Sequence, residues 1–91
     1  MIQGSTAQQL TPNEHTHLSG GRYRVYKVMR DGQWRTLWQI QKAVKDQSNT
    51  YYSETTISAR LRDLRKARHG GHTVNHRHKP DAPFEYQLEV N

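Results

Sequence analysis

Residues 53–68 read SETTISARLRDLRKAR, the longest run in the chain with clean helical logic. Ser53 suits the N-cap, where its hydroxyl takes a backbone N–H of the first turn, and Glu54 sits at the positive end of the helix dipole. Ile57, Leu61 and Leu64 recur at i, i+4 and i+7, so they fall on one apolar stripe. Gly70 and Gly71 follow as the expected stop. Thr55, Ala59, Arg62 and Lys66 lie opposite the stripe, flanked by Ser58 and Arg65. That outer face opens with small polar side chains and closes with cations. A solvated amphipathic helix has the same look, so the surrounding chain has to decide what this one is for.

Going backwards from residue 53, the polar stretch DQSNTYY (46–52) reads as a turn. Before it a second helix opens at Thr36, with Gln39 at the third helical position as a capping box requires. Its stripe is Leu37, Ile40 and Val44, helped by Ala43, and it is expected to end near Lys45. Gln33-Trp34-Arg35 forms a short extended piece whose indole is expected in the core against a first helix. That helix spans 21–30, with Val25, Val28 and Met29 inward and Arg22, Arg24, Lys27 and Arg30 outward; Asp31-Gly32 stops it. Residues 1–18 are polar and carry too few apolar side chains to bury, so they read as a weakly ordered tail ahead of one domain at 19–91. Thr11-Pro12-Asn13-Glu14 has the form of a capping box within that tail.

Going forwards, the period changes from helical to alternating. Residues 72–78 read as a strand carrying Val74, and Lys79-Pro80-Asp81-Ala82-Pro83 as a turn. Phe84, Tyr86, Leu88 and Val90 then alternate with Glu85, Gln87 and Glu89, a half-buried strand with its apolar face inward. The two strands make a hairpin. The expected class is therefore α+β: three helices, a short strand after the first, and a C-terminal two-stranded hairpin.

Composition narrows the function. Ninety-one residues with 32% hydrophobic content support one small domain. Cysteine is absent, which removes disulfides, thiol nucleophiles and thiolate metal sites. No apolar run is long enough to span a membrane, and the start MIQGSTAQQL lacks the basic and apolar parts of a signal peptide; a cytoplasmic location is the expectation. Fourteen Lys and Arg face eight Asp and Glu, a net charge of +6. Residues 53–80 hold seven cations and two anions, so +5 of that excess sits there, beside four of the six histidines. Such a concentration is the electrostatic footprint of a polyanion binder.

The order helix, strand, helix, turn, helix, hairpin resembles the winged helix-turn-helix family of DNA-binding domains, in the texture of small bacterial and phage modules. The resemblance runs over residues 21–90. It is carried by Trp34, Thr36 and Ile40 at the start of the second helix, by the run SETTISARLRDLR at 53–65, and by Tyr86-Gln87-Leu88. The family often has a single glycine before its wing; here Gly70-Gly71 follow His69, and the hairpin is unusually rich in histidine. The resemblance implies that the helix from Ser53 enters the major groove of double-stranded DNA, where base pairs show distinct donor and acceptor patterns. Thr55, Thr56, Ser58 and Ala59 would then lie nearest the bases, with Arg62 the candidate for guanine. Arg65, Lys66 and Arg68 would hold phosphates, as would Arg77 and Lys79 from the hairpin. Thr36 and Trp38 would offer helix-terminal N–H groups to phosphate. The partner is duplex DNA, with room for a homodimer or a partner protein and no membrane.

Other functions compete with this one. His69, His72, His76 and His78 with the His15/His17 pair invite a metal, but no cysteine and no helical HxxxH frame supports a closed site, so no metal and no cofactor is expected. Protonated imidazoles would instead add charge to the hairpin below about pH 6.5. No nucleophile elbow, phosphate loop or zinc-protease motif is present, so no enzyme is expected. A docking module in a replication or regulatory complex would want a neutral, apolar third helix, and this one carries Arg62, Arg65 and Lys66. RNA is the remaining alternative, since charge alone does not separate the two nucleic acids. Arg60, at the edge of the stripe, is equally suited to a structural carboxylate and to DNA.

Overall fold

A computed structural model describes residues 20–91. The tail at 1–18, its capping-box sequence and the His15/His17 pair lie outside the described residues. The elements are α1 (Gly20–Met29), β1 (Arg35–Thr36), α2 (Leu37–Ser48), α3 (Glu54–Leu64), a 3-10 turn (Ala67–His69), β2 (Thr73–Arg77) and β3 (Glu85–Glu89). The fold is α+β, three helices with one small antiparallel sheet of strand order β1-β3-β2.

Each helix buries one stripe. Val25, Val28 and Met29 come from α1, Ile40 and Val44 from α2, and Ile57, Leu61 and Leu64 from α3; Leu88 of β3 closes the cluster. Full burial of such a side chain is worth roughly 1.5–3 kcal/mol, whereas an exposed ion pair gives about 0–1 kcal/mol. The stripes therefore set the helix arrangement, and the many surface charges are left for other work.

The second helix begins as its sequence predicts. Thr36 Oγ1 accepts from the Gln39 N–H at 3.1 Å, and Gln39 Oε1 accepts from the Thr36 N–H at 2.8 Å. It runs three residues past the expected Lys45. Ser48 turns its hydroxyl back onto the Val44 carbonyl (2.8 Å), and Asn49, whose N–H makes the last helical bond to the Lys45 carbonyl, turns the chain away at a left-handed φ of 53°. Asparagine tolerates that conformation, so it can close a helix as glycine does.

The third helix differs in the other direction. Ser53 caps it, accepting from the Thr56 N–H at 3.1 Å, but it ends at Leu64 rather than near Arg68. The next position of the stripe is Arg68, which has nothing to bury. The chain turns extended at Lys66, winds through Ala67–His69 and reverses at Gly70, whose φ is 112°. This detour buries His69 and lets the His72 N–H donate to the Leu64 carbonyl at 2.9 Å.

Two expectations about the sheet are corrected. Trp34 is half-buried and stands outside the hydrophobic cluster. It shares the outer sheet face with Thr36, Glu85 and Arg77, which are aligned across the three strands, and the Arg77 guanidinium covers it at 4.2 Å from the ring centroid. On the inner face Leu88 is buried and Tyr86 and Val74 pack on the core, but Phe84 and Val90 are each 45% exposed. The helices cover the middle of the hairpin and not its ends.

Candidate nucleic-acid interface

The α3 helix presents three different sides. Thr55 and Arg62 are exposed and Ala59 is half-buried on the outermost side. On the side toward α1, Asp63 gathers three cations. Its carboxylate lies 3.2 Å from Arg60 Nε, 3.4 Å from Arg22 Nη1 and 3.4 Å from Lys66 Nζ, with the Asp63 side chain only 15% exposed. Burial by itself would raise the Asp63 pKa; Arg60, Lys66 and Arg22 together outweigh it and hold the carboxyl below its usual range. The Arg60 stem also fills the space over Gly21, where a Cβ would approach its Cδ to 3.0 Å. Arg60 is thus placed in a structural role, and Lys66 is tied to the same carboxylate.

On the third side, facing the hairpin, Ser58, Arg62 and Arg65 form one wall of a groove of about 120 Å3, with Val74, His76 and Tyr86 opposite. Among the described residues, none of Arg62, Arg65, Arg68 and Lys79 has a carboxylate within ion-pair reach. Arg77 differs: its Nε donates to Glu85 at 2.7 Å while its guanidinium plane rests on Trp34. Thr56 is half-buried, and its Oγ1 accepts from the Ser53 hydroxyl at 3.1 Å. At the start of α2 the capping box occupies the N–H groups of Thr36 and Gln39, which leaves those of Leu37 and Trp38 turned outward. The Trp38 ring is 58% exposed.

The hairpin histidines separate into two kinds. His69 is buried. His72 stacks on Tyr26 at 5.4 Å and accepts from the Asn91 N–H through Nδ1 at 3.0 Å, and burial lowers its pKa. His76 and His78 are exposed and flank Phe84, with centroids 5.7 and 4.4 Å from its ring. Among the described residues no three His, Asp or Glu side chains converge on a point that would hold a metal ion, and no helix is long and apolar enough to cross a membrane.

No family model, curated protein or solved structure matches the chain.

The structure also gives His76 and Asp63 roles that the sequence expectations do not assign them. His76 enters the groove beside Arg62 because it sits two residues from Val74 and directly opposite Tyr86; the alternation contained that signal. Asp63 as a hub for three cations had a weaker signal, the i+3 spacings to Arg60 and Lys66. Its Arg22 contact, from a different helix, had none.

Proposed function

We propose that the chain is a winged helix-turn-helix protein that binds double-stranded DNA sequence-selectively, as a small transcriptional regulator of the bacterial or phage type. In this reading α3 is the recognition helix and the β2–β3 hairpin is the wing. The observation that carries it is the division of the cations. Arg60 and Lys66 share the single carboxylate of Asp63 with Arg22, while among the described residues Arg62 and Arg65, which line the α3–hairpin groove, and Arg68 and Lys79 beyond it have no carboxylate within ion-pair reach. Unpaired surface cations distributed over two neighbouring elements suit a phosphate backbone, which supplies most of non-specific DNA affinity.

Within that frame Thr55, Ser58, Ala59 and Arg62 face outward or into the groove and are the base-reading candidates. Thr56 offers its methyl, its hydroxyl being engaged by the cap. Arg65, Arg68 and Lys79 hold phosphates, Lys66 joins them if it leaves Asp63, and Arg77 contributes its Nη groups from a fixed position. The α2 terminus adds the backbone donors of Leu37 and Trp38; Thr36, expected to donate its own N–H to phosphate, has it taken by Gln39 Oε1.

The test is a gel-shift comparison of duplex DNA with RNA of the same sequence, followed by selection from a random duplex library. Tighter duplex binding and an enriched site are expected. Preference for RNA would overturn the DNA assignment, and a library that yields no enriched site would overturn sequence selectivity.

A further inference from the structure

At the end of α3 that the cations leave bare, two exposed rings share one cleft. Trp38 from the first turn of α2 and Phe84, just before β3, line a cleft of about 270 Å3 together with Leu37, Glu54, Pro83 and Tyr86. Clefts for drug-sized ligands run from roughly 300 to 1,000 Å3, so this one suits a single planar ring system. Phe84 is held in place, since the His78 imidazole stacks on it with only 22° between planes. A ring fixed before binding loses little freedom when it stacks. An adjoining cleft, sharing Thr36 and Pro83 with the first, is lined by Lys79 and by Arg77 paired with Glu85, so Lys79 is its one cation without a carboxylate partner among the described residues.

Apolar rings beside a cation suit a nucleotide, with the base against a ring of the cleft and its phosphate at Lys79. Paired bases inside a duplex have no free face to offer. We infer that the Trp38–Phe84 cleft takes an unpaired base next to the duplex, so that the preferred DNA carries a single-stranded overhang or junction; this rests on the DNA-binding reading above. Glu54 sharpens the choice. A carboxylate repels phosphate but accepts from an exocyclic amine, which cytosine and adenine carry and thymine lacks.

Fluorescence anisotropy on the full chain tests this with a blunt duplex and the same duplex bearing a short oligo-dC or oligo-dT overhang. The oligo-dC overhang is expected to tighten binding at least ~5-fold, the lower end for stacking one base on an aromatic ring, and oligo-dT less. Phe84→Ala, at a half-exposed position, should abolish the gain with blunt-duplex affinity unchanged, and Phe84→Tyr should retain it. Glu54→Ala should erase the difference between dC and dT. Equal binding of blunt and overhang DNA overturns the cleft assignment and leaves the duplex reading intact. Phe84-dependent binding of oligo-dC with no binding of blunt duplex supports the cleft and overturns the duplex reading. An equal loss of both substrates in Phe84→Ala, or self-association that Phe84→Ala abolishes, overturns the cleft assignment; in the latter case its occupant is a second copy of the chain.

Discussion

The guanidinium of Arg77 lies over the indole of Trp34, 4.2 Å from the ring centroid, and its Nε is bound to Glu85 on the neighbouring strand. One side chain thereby ties β2 to β3 and to the segment that leads into α2. Cation–π contacts of this kind are worth ~0.5–1 kcal/mol at exposed sites, and the half-buried indole adds apolar area. Trp34→Ala should therefore cost roughly 1–3 kcal/mol in chemical denaturation, within the usual span for a single substitution. Trp34→Phe should recover most of it. Equal losses in the two variants would mean that the indole matters for something other than its face under Arg77.

Arg62 separates base reading from phosphate binding. Arg62→Ala should weaken duplex binding by about 1–3 kcal/mol and relax preference at one position of the selected site. A uniform loss on every sequence, with the salt slope reduced by about one, would mark it as a phosphate contact. For the unaltered protein engaging roughly five phosphates, the logarithm of affinity should fall against log salt with a slope near −4 to −5.

Asp31 and Arg35 form a two-toothed ion pair, both oxygens at 2.8 Å, with Arg35 also donating to the Val28 carbonyl at the end of α1. The hydrogen bonds from Arg35 are the main reason that the Asp31 carboxyl is lowered to about 2 from 3.8. The folded state holds the proton less tightly than the unfolded chain, so the pair's contribution is complete above pH ~4 and lost as pH falls through ~2. The pair is partly exposed, which keeps it near the surface range of about 0–1 kcal/mol. The gap in Tm between the unaltered protein and Asp31→Asn should close between pH 4 and pH 2; a gap that stays constant would exclude the mechanism.

Gly70 combines a left-handed φ of 112° with a tight contact: a Cβ there would collide with the His72 imidazole at Nε2. The His72 ring cannot easily yield, being stacked on Tyr26 and bonded to Asn91. Gly70→Ala should destabilise by about 1–3 kcal/mol from backbone strain, plus the cost of displacing the ring. In a His72→Ala background only the strain remains, so Gly70→Ala should cost less there. Identical costs in both backgrounds would show that the ring moves away freely.

His72 also gives the fold an acid limit of its own. Burial lowers its pKa, so the unfolded chain binds that proton more tightly, and stability contributed by the neutral ring is lost as pH falls below the unfolded value of ~6.5. His72→Phe keeps a ring on Tyr26 but cannot charge. The Tm of the unaltered protein should fall more steeply between pH 7 and pH 5 than that of His72→Phe, and parallel curves would rule the residue out.

Much of the fold was legible in local pattern. The stripes Val25/Val28/Met29, Ile40/Val44 and Ile57/Leu61/Leu64 are all buried as their spacing predicts, and both Ser53 and Thr36 cap as their residue types predict. What escaped was decided by contacts between distant elements. Local pattern extends the Ser53 helix too far because Arg65, Lys66, Ala67 and Arg68 are compatible with helix; the 3-10 turn that buries His69 ends it sooner. Local pattern puts Trp34 in the core because large aromatics usually are, and only the strand register brings Arg77 over it. The division of cations between Asp63 and the groove was invisible for the same reason, since Arg22 reaches Asp63 from 41 residues away.

The strand order β1-β3-β2 has a kinetic consequence. The central strand is the one that comes last in sequence, so neither edge can pair until Glu85–Glu89 is in place, and Arg35 finds Tyr86 across some fifty residues of chain. The three helices meet through shorter separations and can collapse first. Closure of the sheet is then the slow, non-local step, since long loops must be closed before their contacts stabilise anything. Substitutions at Leu88 should slow folding more than they speed unfolding only if the sheet is already closed in the transition state. For a hairpin that docks late, they act mainly on unfolding.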